Sequence, residues 1–167
     1  MKTNQKLNFG HFLEKFPEIV LPITLTEESA RAFSQTNDPL SDILIQEYII
    51  PIETEEIDDL TEFIACVRIP KTENFYAVIY WKAALLNYQY ILATFSKTGV
   101  PIDRRVIAGT YSDGETLVQS VATIEEDWII YVVSGKTSAN ATSYDASSSK
   151  SFNLELLITG EIINSDD

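Results

Sequence analysis

Residues 75–95 read FYAVIYWKAALLNYQYILATF and contain two segments with the composition of β-strands. In Phe75–Lys82 both alternating sets of side chains are apolar, which is typical of a central strand covered on both faces. Tyr88–Phe95 is also rich in the aromatic and β-branched residues that favour strands. Because the connection between the two segments is too short for a parallel crossover, we expect them to pair antiparallel.

Further segments with strand composition lie on both sides of this pair. They are Thr61–Ile69, Val100–Ala108, Leu117–Ile124, Trp128–Val133 and Phe152–Ile158. Turn-forming pairs such as Thr98-Gly99 and Asp113-Gly114 separate several of them. The pattern predicts an antiparallel β-meander of about seven strands over residues 61–163. Two features of this region stand apart: Arg104-Arg105 is predicted to lie at a strand edge, and the Ser-rich residues 137–151 are predicted to be a flexible hairpin tip.

The N-terminal residues 1–52 have helical patterns instead. A first helix should bury one apolar face and end at Pro17; that face consists of Phe9, Phe12, Leu13 and Phe16. A second helix is expected to begin near Thr26, whose hydroxyl can cap the first turn. Asp38-Pro39 predicts the start of a third, and its apolar stripe is Leu40, Ile43, Leu44 and Tyr48.

These elements together predict an α+β fold in one domain spanning residues 1–167. Two or three N-terminal helices, within residues 1–52, should pack on one face of the C-terminal antiparallel sheet. A chain of 167 residues with 45% hydrophobic residues can bury a sizeable core without a metal or disulfide.

Composition excludes several classes of function. Twelve basic residues against 25 acidic ones leave a net charge of −13, which argues against binding of nucleic acids or anionic membranes. Without a secretory leader pattern or a membrane-spanning apolar stretch, the chain is expected to be cytoplasmic.

Residue types that commonly carry catalysis are scarce. Glycine-rich phosphate loops and the GxSxG turn are missing from the sequence. His11 is expected to face solvent, and Cys66 to lie buried in a strand as a small apolar residue. The sequence therefore indicates no cofactor, no metal site and no catalytic residue, and it leans away from an enzyme.

Negative charge is concentrated in residues 14–62, which carry 13 acidic and two basic residues. The densest run comprises Glu53, Glu55, Glu56, Asp58, Asp59 and Glu62. Such a run is either a solvated linker or a surface for a cationic partner. Our leading hypothesis is a non-catalytic interaction domain that binds a basic protein through this run. In size and acidity the chain resembles bacterial immunity proteins, which neutralise toxins, although it shares no motif with them.

Two other classes of function stay open. A small-molecule-binding or hydrolytic β domain would use an aromatic cleft; the candidate lining residues are Tyr80, Trp81, Tyr88, Tyr90 and Trp128. A structural domain would instead assemble with itself through a sheet edge or an uncovered face. High negative charge opposes such self-association, so this hypothesis ranks last.

Overall fold

The computed structural model describes residues 2–138 and 149–165; the helices, with one short strand among them, come before the other strands. The helices are α1 (Lys2–Glu14), α2 (Glu27–Thr36) and α3 (Asp42–Leu44); α3 continues as a π-helical turn (Ile45–Ile49) and a 3-10 turn (Ile50–Ile52). The strands are β1 (Ile23–Leu25), β2 (Glu62–Arg68), β3 (Phe75–Ala84), β4 (Asn87–Ser96), β5 (Pro101–Ser112), β6 (Thr116–Ile124), β7 (Ile129–Ser138), β8 (Lys150–Leu156) and β9 (Ile162–Asn164). Ten of the predicted Ser-rich residues, 139–148, lie outside the described residues.

All the strands described belong to one antiparallel sheet with the order β2-β3-β4-β5-β6-β7-β8-β9. The remaining strand, β1, pairs with the end of β6, beyond the part of β6 that pairs with β5. The predicted α+β class with an antiparallel C-terminal sheet is confirmed, but the described sheet has nine strands rather than seven. The two missed strands, β1 and β9, have three residues each, too few to show an alternating pattern.

The strand β3 is apolar on both faces because each face belongs to a different core. Ala77, Ile79 and Trp81 lie in a first core with residues from β4 to β9. Val78 and Tyr80 lie in a second core with residues of α1 and of the third helical segment. Both alternating sets are thus buried, as the sequence predicts.

Helices cover both faces of the sheet, so the expectation that they share one face is wrong. Phe9, Phe12, Leu13 and Phe16 of the first helical segment are buried in the second core, as their spacing predicts. Ala30 of α2 lies instead in the first core, where Phe33 packs against it. Both faces of β3 are apolar and must be buried. The first and third helical segments cover one face, and α2 covers part of the other.

Helix starts follow side-chain caps. Thr26 caps α2 through a reciprocal pair of hydrogen bonds with Ser29, which confirms the predicted start. The third helix starts later than Asp38-Pro39 suggests, because Ser41 Oγ accepts a hydrogen bond from the Leu44 amide.

Arg104 and Arg105, predicted to lie at a strand edge, both make side-chain hydrogen bonds within the protein. Arg105 donates to the Ile162 carbonyl at 3.1 Å, and Asp103 accepts from the Ile162 amide at 2.8 Å. These side chains connect β5 to β9, so the sheet curls until its last strand returns to β5.

Among the described residues, no helix is long and apolar enough to cross a membrane.

Candidate functional site

Glu53, the first residue of the predicted acidic run, is buried rather than solvated. Its carboxylate accepts hydrogen bonds from Tyr80 Oη at 2.9 Å, Lys82 Nζ at 3.0 Å and Arg104 Nη2 at 2.9 Å. The side chain of Glu53 is only 1% exposed, against 5% for Lys82 and 16% for Arg104. In this conformation Glu53 is internally neutralised and offers no surface to a partner, which corrects the expectation for this residue.

The Glu53 cluster, defined as Glu53, Tyr80, Lys82 and Arg104, ties the end of the helical region to β3 and β5. Burial, and secondly the charge of Glu53, raises the pKa of Tyr80. Tyr80 therefore stays protonated and can donate to the carboxylate. The arrangement fits a structural cross-link between distant segments.

The other acidic residues of the run lie on the surface. Glu55, Glu56, Asp58, Asp59 and Glu62 are all exposed. Asp58 also closes a turn, because its Oδ1 accepts hydrogen bonds from the Leu60 amide and the Thr61 hydroxyl. These five carboxylates form an exposed acidic segment, and their role in binding stays a prediction.

The five candidate aromatic residues do not line one cleft. Tyr80 is buried in the second core, whereas Trp81 and Tyr90 are buried in the first, on the other face of the sheet. Tyr90 Oη donates to the Thr26 carbonyl at 2.6 Å, which satisfies its hydroxyl within the protein. Tyr88 is 38% exposed and stacks on Trp81 with ring centroids 5.9 Å apart. Of this set, Trp128 alone borders the recess between the α1–β1 connection and the β2–β3 and β6–β7 turns.

The Trp128 recess is a cavity of about 600 Å³, a size typical of ligand sites. Three segments enclose it: the chain between α1 and β1, the β2–β3 turn and the β6–β7 turn. The lining residues are Glu18, Ile19, Val20, Leu21, Pro70, Lys71, Glu126 and Trp128. An aromatic ring, aliphatic side chains and two carboxylates therefore surround one cavity.

The β6–β7 turn forces Trp128 into an unusual backbone conformation. The Trp128 amide donates to the Glu125 carbonyl at 2.9 Å, and the Asp127 carboxylate accepts from the Ile129 amide at 3.1 Å. This turn leaves Trp128 with φ of 67°, in the left-handed region that glycine occupies most easily. For a residue with a side chain this conformation costs about 1–2 kcal/mol.

The other walls of the recess are held by defined contacts. The Arg68 amide donates to the Pro17 carbonyl at 2.9 Å, which fixes the chain before Glu18 against the end of β2. Lys71, in the β2–β3 turn, also has a positive φ of 66°. The indole of Trp128 meets the ring of Phe75 edge to face, with centroids 5.9 Å apart. Two left-handed, non-glycine residues thus border the same cavity, and such strain is often found at functional sites.

Negative charge extends from the recess along the adjoining turn. A neighbouring depression shares Glu126 with the recess and is lined by Pro22, Glu125, Glu126, Asp127 and Tyr131. The two depressions together carry the carboxylates of Glu18, Glu125, Glu126 and Asp127 against the single ammonium of Lys71. The surface therefore suits a cationic ligand with apolar parts.

Sequence reasoning selected Trp128 but missed the rest of this surface. Glu125-Glu126-Asp127 lies between the predicted strands Leu117–Ile124 and Trp128–Val133, where an acidic run indicates only a polar connection. Glu18 and Lys71 are distant from it in sequence, and only the paired strands bring them together. The one available signal was an aromatic residue that follows three acidic residues at a turn.

Cys66 and His11, the other residues with reactive side chains, do not lie in a catalytic arrangement with any residue that the structure describes. Burial raises the pKa of the Cys66 thiol, so the thiolate is disfavoured. The His11 side chain is 63% exposed and lies 3.8 Å from Glu14. Within residues 2–138 and 149–165, no three His, Cys, Asp or Glu side chains are grouped so that they could hold a metal ion.

No protein-family model, curated protein or solved structure matches this chain.

Proposed function

We propose that the chain is a non-catalytic interaction domain that binds a basic protein, and that the acid-rimmed Trp128 recess is its docking surface. The observation that carries this proposal is a partly buried Trp128, held in a strained conformation, that lines the same cavity as the exposed residues Glu18 and Glu126. Tryptophan in a desolvated pocket is among the side chains that contribute most to protein–protein affinity. An inhibitor of a cationic toxin or nuclease is the most concrete form of this function.

Long-range and local charge have separate roles in this proposal. The net charge of −13 attracts a basic partner from a distance and speeds association. The carboxylates of Glu18 and Glu126 then fix the orientation of the partner at the recess, where apolar contacts with Trp128 and Leu21 slow dissociation.

The exposed acidic segment of residues 55–62 and the recess lie at opposite ends of β2. The segment ends at Glu62, the first residue of β2, whereas Pro70 and Lys71 of the recess follow the other end of that strand. A strand of seven residues spans roughly 20 Å. We therefore assign the acidic segment to long-range attraction and the recess to the stable complex.

Two double variants with the same change in charge separate these roles. Partners are first captured from a native lysate at low and physiological salt, and the recovered basic protein is then titrated in pure form. Glu18→Gln/Glu126→Gln is expected to weaken affinity by about tenfold or more, mainly through faster dissociation. Glu55→Gln/Glu56→Gln is the matched control, and it is expected to slow association at low salt only. Failure to recover any basic protein, or an equal loss of affinity in both variants, would reject the proposal.

A further inference from the structure

We infer that the Trp128 recess accepts one arginine side chain of the basic partner; this inference rests on the proposed function and names the group that is recognised. The recess lining carries two carboxylates, Glu18 and Glu126, and one ammonium, Lys71. Its net charge is therefore −1. A single cationic side chain brings it to zero, whereas an anionic ligand would double the unbalanced charge.

The walls of the recess match the two parts of an arginine side chain. The aliphatic stem needs apolar surface, which Ile19, Leu21 and Pro70 supply. The planar guanidinium needs an aromatic face and carboxylate acceptors, which Trp128, Glu18 and Glu126 supply. The indole is also well supported, because Phe75 contacts it edge to face.

Arginine fits this lining better than lysine. A guanidinium can stack on an indole while its five N–H groups reach carboxylates in its own plane. A lysine ammonium is a more strongly hydrated point charge, so it loses more on entering a partly apolar recess.

The backbone of Trp128 gives this assignment independent support. Its φ of 67° is the conformation in which glycine is preferred at the end of such a turn. Because the turn would form more easily with glycine, the indole must contribute something that offsets the backbone cost. Packing on Phe75 and on the first core accounts for the buried part of the ring. The part of the Trp128 indole that lines the recess is left to contact a bound guanidinium.

The inference is tested with octa-arginine, octa-lysine and octa-citrulline peptides as probes. Isothermal titration measures affinity, and tryptophan emission reports the site, because the other tryptophan, Trp81, is only 6% exposed. Octa-arginine is expected to bind at least about fivefold more tightly than octa-lysine and to change the emission. Octa-citrulline, which keeps the shape but not the charge, is expected not to bind.

Substitutions in the recess test whether the peptide binds there. Trp128→Leu and Glu126→Gln are each expected to remove the preference for arginine over lysine, whereas Tyr88→Leu, at an exposed aromatic outside the recess, should leave it intact. Glu126 is exposed, so Glu126→Gln gives a readout even where Trp128→Leu fails to fold. Equal binding of the arginine and lysine peptides would overturn the inference and leave the proposed function standing. If neither cationic peptide binds and no basic protein is captured, both fall.

Discussion

Glu53 and Lys82 form a buried ion pair, with Oε2 and Nζ 3.0 Å apart and side chains only 1% and 5% exposed. Arg104 donates to the same Oε2 at 2.9 Å, so one carboxylate oxygen serves two cations. Taking these charges out of water is costly, and it is tolerated because both cations share hydrogen bonds with the one carboxylate. Removal of Glu53 would leave two buried positive charges facing each other.

Glu53→Gln is therefore expected to destabilise the protein by about 3–5 kcal/mol, since an amide of the same shape cannot neutralise Lys82 and Arg104. The free energy of unfolding in urea measures this loss. Glu55→Gln is the matched control, because it removes the same charge from an exposed position two residues away and should stay within about 0.5 kcal/mol of wild type. An equal effect of both substitutions would contradict the buried cluster.

Stability is expected to fall at alkaline pH. Burial, followed by the charge of Glu47, raises the pKa of Tyr48 to about 12 from an ordinary value of 10.0. The unfolded chain thus releases the proton first, so the stabilising effect is complete below pH 10 and is lost as pH rises to about 12. Burial raises the pKa of Tyr80 and Tyr90 in the same direction.

Unfolding free energies at successive pH values, together with tyrosinate absorbance, test this expectation. Tyr48→Phe should make the pH dependence shallower, because phenylalanine has no proton to lose and only the contributions of Tyr80 and Tyr90 remain. A stability that stays constant from pH 10 to about 12 would show that these hydroxyls ionise as readily in the folded protein as in the unfolded chain.

Sequence patterns predicted the helical region, the long strands and the two-faced burial of β3, because these depend on local spacing. The surroundings of Glu53 could not be predicted that way. Its partners Tyr80 and Arg104 are 27 and 51 residues away in the chain, and its neighbours in sequence are solvated acids. The Trp128 recess was missed for a related reason: its three walls come from separate connections, which only the pairing of β2 with β3 and of β6 with β7 positions.

Cys66 should resist thiol reagents in the native protein. Its side chain is buried in the first core, and burial raises the pKa of its thiol, so little thiolate exists and no reagent reaches it. Modification is expected only when the core opens, and its rate should therefore follow denaturant concentration. Mass spectrometry after timed labelling measures this rate. Rapid labelling of the native protein without denaturant would contradict the burial of Cys66.

Asn37 protects an edge of the sheet. Its Nδ2 donates to the carbonyls of Ala65 and Cys66 at 2.7 and 2.8 Å, and so occupies acceptors that a further strand could use. Asn37→Ala should expose these acceptors and increase self-association. Light scattering after size exclusion, at two protein concentrations, measures the change. Gln35→Ala, two residues earlier and exposed, is the control that should leave the oligomeric state unchanged.

Trp128 offers a direct measurement of backbone strain at the recess. Trp128→Gly and Trp128→Ala both lose the indole and its contact with Phe75, so the difference between them isolates the backbone. At a φ of 67° glycine is the easier residue, and we expect the glycine variant to be more stable than the alanine variant by about 1 kcal/mol.

Tyr131, in the following strand, provides the opposite case. Strand backbone gives glycine no advantage, and its greater entropy loss on folding costs about 0.5–1 kcal/mol relative to alanine. Tyr131→Ala should therefore be more stable than Tyr131→Gly, which is the reverse of the order expected at Trp128. Urea unfolding of the four variants measures both differences. If alanine is the more stable residue at both positions, the turn does not strain Trp128, and the argument that its indole is retained for binding loses its support.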